Sequence, residues 1–432
     1  MWFKKSDPEV LVVGAGPVGM VSALELARAG VRVEIVDEQW RTAGHSYALA
    51  LHPRSVDLLV QRGLEDLADR GHRIDTVAFY DGGDRRAELD LSLLAGDHPE
   101  LLVVPQRALE DLLENRLRRE KVKVRWNHRL SVLDATTARP EVRIERLGKD
   151  TTGYGISSTV WVVEKIFRME PFLVLGADGH RSSVRRRAGI DFPEVGEAQV
   201  FGVFEFLADG PIPDEMSVVL DDETTNVLWP LGDGRYRWSF ELSEEELFAQ
   251  ARTKSRLQVQ LGTSSLPYVP VEKLGEILAE RVPWFQAEID EVIWSAAVRF
   301  ERRLAGSFGR GAAWLAGDAA HLANPVGVQS MNVGLAEGVD LADRFSRILR
   351  DDASLDILEE YEDRRLREWE HLLHPEESLR IRDEADEWVR RRASRIPVCV
   401  PATGEDLKAL LDQIGLELEP ASETSREPAA EA

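Results

Sequence analysis

The sequence predicts an α/β protein: a parallel-sheet domain assembled from separated stretches of chain, interrupted by an inserted mixed β-sheet domain and followed by a helical C-terminal extension. Three observations carry this expectation. A short apolar run, Val10-Leu11-Val12-Val13, is followed by glycines, a helix-forming stretch and a second strand, which makes a βαβ unit at the N-terminus. Two further buried-strand patterns end in glycine, at Phe172-Leu173-Val174-Leu175 and Ala312–Ala316, so the three are spread over about 300 residues. Between them the periodicity is mostly two, as in half-buried antiparallel strands.

Taken in order, Val18–Ala29 are good helix formers stopped by Gly30, and Val31–Val36 reads as the second strand. A proline-led helix is expected over Pro53–Gln61 and an amphipathic one over Leu109–Arg119. Lys121–Phe167 reads as an antiparallel meander. Val227–Pro230 and Arg235–Glu241 read as strands joined by the turn Gly232-Asp233-Gly234. Helices are expected at about Glu244–Gln260 and Val271–Glu280, and another runs from the turn after Ala316 to about Arg350. Two charged helices follow, Leu355–Leu373 with Ser354 as N-cap and Glu376–Ser394. The tail from Glu419 is too polar to order itself.

Composition narrows the class. Hydrophobic residues make up 43% and charged residues 30%, ordinary for a globular protein of two or three packed units. No run of about 18 apolar residues appears, and Met1–Asp7 passes almost directly into a strand, leaving no room for a secretory signal. A formal charge of −23 argues against nucleic acid and anionic membrane as partners. The one cysteine, Cys399, suits a reducing, cytoplasmic setting, and the nine histidines show no metal-ligand spacing.

The chemistry begins at Gly14-Ala15-Gly16-Pro17-Val18-Gly19, between strand and helix. Gly14 permits the tight turn, Gly16 lets the backbone approach a pyrophosphate, and Gly19 lets helix and strand pack closely. The helix N-terminus offers unpaired N–H groups to phosphates. Asp37, 18 residues beyond Gly19, stands where a carboxylate can accept from ribose hydroxyls. This motif alone does not separate FAD from NAD.

Two more motifs do. Gly176-Ala177-Asp178-Gly179-His180-Arg181-Ser182-Ser183 and Gly317-Asp318-Ala319-Ala320-His321-Leu322-Ala323-Asn324-Pro325 follow the other buried strands. With the first motif, and with the glutamine-led Gln106-Arg107-Ala108-Leu109, the chain from about residue 9 to about residue 370 resembles the para-hydroxybenzoate hydroxylase-like family of FAD-dependent monooxygenases. The resemblance implies a Rossmann-like domain binding FAD non-covalently. Gly14, Gly16, Pro17, Val18 and Gly19 would hold its pyrophosphate, Asp37 its adenosine ribose, and Gln106 its ribityl and phosphate region. Asp178 would serve both FAD and the nicotinamide cofactor. Asp318 would accept from a ribityl hydroxyl, Pro325 would border the ring where O₂ reacts, Met331 and Asn332 would present backbone N–H groups to the flavin pyrimidine, and Gly317, Gly327 and Ser330 would also bind the cofactor. It further implies that NADPH or NADH reduces FAD and that a peroxyflavin delivers one oxygen atom to a small, aromatic substrate.

The chain departs from the family pattern at Ser330 and Val328. Smaller residues are usual there, and the resemblance implies that a side chain would crowd or shift the flavin. Tyr47 stands where many members carry arginine, and Glu337-Gly338 where Asp-Ala is common. Other residues read more plainly. His321 is expected to be structural or beside the cofactor, Arg364, Arg365 and Arg367 to form a solvated face, and Arg185-Arg186-Arg187 to be either surface charge or a contact to a nicotinamide dinucleotide. Trp229, directly before a proline, is placed nearest substrate with Tyr236 in reserve, whereas Trp238 and Phe240 read as core.

The expected division is an FAD domain from 1–75, 100–190 and 291–350, a substrate domain from 76–99 and 191–290, C-terminal helices over 351–418 and a disordered tail over 419–432. Three rivals to the hydroxylase reading stay open. They are a flavin-dependent halogenase (although Trp229-Pro230-Leu231 only partly echoes that group's tryptophan motif), an FAD-dependent reductase or oxidase, and a non-catalytic flavin- or ligand-binding protein.

Overall fold

The computed structural model describes residues 7–40, 50–135, 139–152, 158–243, 259–261, 264–266 and 271–419. Tyr47, most of the expected helix over 244–260 and the tail beyond 419 lie outside the described residues. The N-terminal βαβ unit forms as its pattern requires. Val10–Val13 is fully buried and pairs in parallel with Val33–Val36 on one side and Leu173–Gly176 on the other. Ala313–Leu315 extends the sheet in parallel beyond Leu173–Gly176, and Val124–Arg125 extends it beyond Val33–Val36. The short strand Gly309–Arg310, antiparallel, closes a six-stranded first sheet. The scattered glycine-ended strands therefore lie side by side.

Helix α1 (Pro17–Arg28) starts with proline in its first turn, where no N–H is missed, and stops before Gly30 at φ 75°. Helices α2 (Pro53–Val60), α3 (Gln106–Arg119) and α4 (Ser183–Ala188) follow, the last capped by the Ser182 hydroxyl on the Arg185 N–H. Gly19 cannot be replaced without overlap, because a Cβ there would strike the Gly14 carbonyl.

The second sheet has eight strands in the order His321–Leu322, Glu288–Leu304, Glu194–Asp209, Arg235–Glu241, Thr225–Gly232, Met216–Leu220, Thr76–Asp81 and Asp84–Asp90. It is mixed, since Met216–Leu220 runs parallel to Thr76–Asp81 while its other pairs are antiparallel. Glu288–Leu304 belongs to this sheet over its whole length, so the expected boundary at 290/291 falls inside a strand. The reason is its long pairing with Glu194–Asp209, which carries on through four register shifts and which local pattern does not display. Helix α5 (Val271–Arg281) covers the sheet's outer face, burying Leu274, Ile277 and Leu278 in a cluster with Phe204, Phe206, Leu228, Trp238 and Phe240.

The expected meander is present as the antiparallel ladder His128–Asp134, Glu141–Thr152 and Ser158–Met169. Helix α6 (Gln329–Arg350) packs on α1, and α7 (Asp356–Leu373) packs on α6. Gly338 permits the first contact, because a Cβ there would lie 2.5 Å from the Ser22 hydroxyl. Ser354 acts one residue outside the cap, its hydroxyl accepting the Asp356 N–H at 3.3 Å.

Two expected helices are corrected. Val259 and Gln260, assigned to the end of the first, belong to the strand Val259–Leu261, which pairs with Ser264–Leu266. The helix expected over 376–394 is instead a 3₁₀ turn (Pro375–Ser378), the strand Leu379–Ile381 and a five-residue helix, α8 (Glu387–Arg391), capped by Asp386. Leu379–Ile381 pairs with Leu416–Leu418 beyond α9 (Gly404–Asp412), and this long-range pairing overrides the local helical pattern. Arg365 is corrected as well: it is 2% exposed and ion-paired to Asp340 at 2.8 Å and Glu368 at 2.6 Å, while Arg364 and Arg367 are exposed. Among the described residues no helix is long and apolar enough to cross a membrane.

Candidate functional site

One cavity of about 600 Å³ runs between the C-terminal ends of the first sheet's strands and the inner face of the second sheet. Its first end is lined by Gly14, Gly16, Pro17, Val18, Asp37 and Gln106, its middle by Asp178, Asp318, Pro325, Val328, Ser330 and Met331, and its far end by Trp229. Thus the separate glycine motifs converge on one space.

The first end has the properties of an anion cradle. Helix α1 has no side-chain cap, so no side chain takes up the N–H groups of its first turn, and Gly16, Pro17 and Val18 there line the cavity. A Cβ on Gly16 would meet nothing within 4 Å, which leaves room for a group to approach the backbone. Asp37 accepts the Ala15 N–H and the Gln39 N–H, both at 2.7 Å, which fixes its carboxylate against the glycine turn. Burial outweighs those bonds and holds its pKa above the usual carboxylate value. Gln106 donates to Glu110 at 2.7 Å, and burial raises Glu110 to about 7.

The second motif is a capping arrangement. Asp178 accepts from the Ser183 N–H and hydroxyl at 2.6 and 2.7 Å, and from the Val184 N–H at 3.2 Å. Of the three arginines after it, Arg185 is buried and donates to the Ala319 and His180 carbonyls, so it braces the motif; Arg186 and Arg187 are exposed, and Arg186 lines the cavity.

The third motif is held from beneath. Asp318 is exposed to the cavity it lines, and the protein around it disfavours the charged carboxylate and raises its pKa. His321 is fully buried, bonded to Glu337 at 2.8 Å and stacked on Trp369 at 3.7 Å, which is the structural placement. Glu337, noted above as a departure, also accepts from the Gly317 N–H and the Trp369 indole. Burial alone would raise its pKa, but His321, Arg365 and the Gly317 N–H outweigh burial and hold it low.

Past Pro325 the chain enters α6 through Val328 at φ 50°, a strained conformation for a β-branched residue. Ser330 has a definite task, its hydroxyl accepting the Ala323 N–H at 3.1 Å across the loop. Asn332 does not line the cavity: its side chain accepts the His52 N–H at 2.8 Å and donates to the Ala50 and Val328 carbonyls. Gly19, Gly317 and Gly327 are also behind the surface, Gly327 packing against the carbonyls of Val398 and Val400.

At the far end Trp229 is 2% exposed and lines the cavity with Phe201, Val203, Trp294 and Phe300. Tyr236 is corrected. It lies on the opposite face of its strand, stacked on Phe206 beside Trp238 and Phe240, because strand residues alternate faces. The cavity face of that strand instead carries Arg237 and Ser239, and Arg237 donates to Glu205 at 2.7 Å. Sequence reading missed Arg237, Glu205 and Trp294. The signal was the polar half of the Arg235–Glu241 alternation. Among the described residues no group of three or more His, Cys, Asp or Glu is placed to hold a metal ion.

A family model described as FAD binding domain matches residues 7–374. The uncharacterized aromatic compound monooxygenase YhjG of Bacillus subtilis is 29% identical over 359 residues, covering 83% of this chain and 65% of the relative. The 6-methylpretetramide 4-monooxygenase of Streptomyces rimosus is 29% identical over 360 residues, covering 82% and 58%. Para-nitrophenol 4-monooxygenase of a Pseudomonas species is 27% identical over 371 residues, covering 82% and 81%. The chain thus spans less than two thirds of the first two relatives. Among solved structures, p-nitrophenol 4-monooxygenase PnpA of Pseudomonas putida superposes with a TM-score of 0.69 at 22% identity, covering 95% of this chain and 97% of that one, a likeness of fold. Aklavinone-11 hydroxylase, solved with FAD and aklavinone, gives a TM-score of 0.64 at 22% identity, covering 86% and 67%.

Proposed function

The chain belongs to the FAD-binding-domain family, and from that premise we propose that it is an FAD-dependent monooxygenase that consumes NADPH or NADH and transfers one oxygen atom from O₂ to a small aromatic substrate. The observation that carries this reading is the single cavity joining the glycine cradle to an aromatic-lined sheet face. The relatives named as aromatic-compound and nitrophenol monooxygenases support it.

The residues present fit FAD. The open space at Gly16 and the uncapped start of α1 suit its pyrophosphate, and Asp37 has lone pairs left for ribose hydroxyls. Asp318 and Asp178 would face the ribityl chain from the cavity wall, with Gln106 near the phosphates. The N-terminus of α6, entered at Val328 and continued by Ser330 and Met331, presents backbone N–H groups and a positive dipole end, which favours negative charge beside it. Pro325 would border the ring. When bound, the flavin supplies the redox and oxygen chemistry; the protein binds, orients and excludes water. Trp229 and its aromatic neighbours supply the dry wall against which a ring can lie. We place the enzyme in the cytoplasm, with Cys399 a buried thiol.

The test is a visible spectrum of the purified protein followed by NADPH and NADH oxidation with a panel of phenols and polycyclic hydroxyarenes. Oxidised-flavin absorption and substrate-stimulated oxidation are expected. Chlorinated or brominated product in the presence of halide would favour the halogenase rival, and oxidation without oxygen transfer the reductase or oxidase. A flavin-free protein that oxidises neither nicotinamide would favour the non-catalytic reading.

A further inference from the structure

Five non-glycine residues among those described have a left-handed φ, and Val328 is the β-branched one of them. Such a side chain is an outlier there, and the conformation persists only where its surroundings over-determine it. The surroundings do so from both sides. The carbonyl before Val328, that of Gly327, accepts the Nε2–H of His52 at 2.9 Å. The carbonyl of Val328 itself accepts the Asn332 amide at 2.7 Å. The two holders are tied to each other, since Asn332 Oδ1 accepts the His52 backbone N–H at 2.8 Å, and the Asn332 amide also donates to the Ala50 carbonyl at 3.0 Å.

His52 is committed to this one task. It is 3% exposed, and its Nδ1 has no hydrogen-bond partner among the described residues. Burial keeps the ring neutral, with its pKa at about 4, and a carbonyl can only accept, so the single ring proton sits on Nε2. A bare buried acceptor is costly, and the ring carries that cost while its proton holds Gly327. On the other side the loop is backed by the C-terminal segment, because a Cβ on Gly327 would lie 2.7 Å from the Val398 carbonyl and 3.0 Å from that of Val400. What the clamp holds is the entry to α6. Val328, Ser330 and Met331 line the cavity, and α6 has no side-chain cap, so the direction of its positive end follows from the Val328 turn. We propose that His52, itself outside the cavity lining, is a positioning residue: with Asn332 it locks Val328 left-handed and so aims the start of α6 at the flavin pyrimidine, where negative charge gathers on reduction. The assignment rests on the FAD reading of the cavity.

Val328→Gly separates this role from plain packing, because glycine takes a left-handed φ without help. FAD affinity and the midpoint potential of bound FAD are measured on the purified full chain for the wild type, His52→Leu, His52→Gln and the double variant His52→Leu/Val328→Gly. His52→Leu should loosen reduced FAD at least tenfold more than oxidised FAD, which lowers the two-electron potential by about 30 mV or more. His52→Gln, which can still donate to Gly327, should stay near the wild type, and the double variant should recover most of the loss. If His52→Leu alone does not fold, Val328→Gly must restore folding. An unchanged potential in folded His52→Leu, or a loss that Val328→Gly leaves in full, overturns the proposal. Thermal melts of the flavin-free proteins are read separately. A wild type that takes up no FAD sinks the cofactor reading, and the clamp then stands or falls on whether Val328→Gly relieves the destabilisation caused by His52→Leu.

Discussion

Glu337 on α6 accepts the backbone N–H of Gly317 at 2.8 Å, and this bond sets the third glycine motif on the helix that follows it. The same carboxylate holds His321 at 2.8 Å and the Trp369 indole at 2.7 Å, all within the protein interior. Asp318, one residue after Gly317, is thereby pointed at the cavity by a network on the side away from it.

Glu337→Ala should accordingly be severe. It removes the partner of buried His321 and leaves the Gly317 N–H and Trp369 indole unpaired, a loss of about 3–5 kcal/mol for breaking a buried pair. Glu337→Gln keeps an acceptor and should cost less. Denaturant melts of the two variants check this; an alanine variant as stable as the wild type would mean the network does not hold the turn.

Gly16 faces open space, so its substitution should spare the fold and damage cofactor binding. Gly16→Leu is expected to melt near the wild-type temperature yet carry little or no FAD, because its side chain fills the pyrophosphate's place. Flavin released per chain on denaturation measures this. Full occupancy in the variant would remove the cradle from the account.

Stability should depend on pH through two buried groups of opposite sign. Burial lowers His52 to about 4, so its contribution is complete above 6.5 and is lost as pH falls from 6.5 towards 4. Burial raises Glu110 to about 7, so its contribution is complete below 4.5 and is lost as pH rises from 4.5 to 7. Between about 4.5 and 6.5 the two slopes largely cancel. Glu110→Gln removes one of them. Its stability relative to the wild type should climb by up to about 3 kcal/mol from pH 4.5 to pH 7, for a shift of about 2.5 units. A constant difference across that range would show that Glu110 titrates normally.

Trp229 is both wall and core, so two substitutions are needed to separate the roles. Trp229→Ala should destabilise by about 3–5 kcal/mol. Trp229→Phe keeps most of the packing, and should raise substrate KM or divert nicotinamide oxidation to hydrogen peroxide while melting close to the wild type. A phenylalanine variant with unaltered KM and coupling would place Trp229 in the core alone.

Much of the glycine-lined end of the cavity was legible because its signals are local. Val10–Val13, the glycines at 14, 16 and 19, and Asp37 fall within one βαβ unit, and their placement follows from backbone geometry. The sheet-lined end was less so. Alternation in Arg235–Glu241 shows that the strand has two faces, but not that α5 covers the aromatic one and leaves Arg237 to the cavity. Arg237 and Glu205 are paired across 32 residues, and Arg365 and Asp340 across 25, so neither burial is written in its neighbourhood. The strand Leu379–Ile381 looked helical for the same reason, since its partner begins at Leu416.

Oxygen transfer from O₂ to an aromatic ring is read by isotope labelling. Purified holoenzyme is incubated with NADPH or NADH and 2-naphthol under ¹⁸O₂, and the product is weighed by mass spectrometry. A hydroxylated product carrying one ¹⁸O atom, formed as nicotinamide is consumed, is the expected result. Nicotinamide oxidation that yields only hydrogen peroxide, with 2-naphthol and with every other hydroxyarene of the panel, would contradict it.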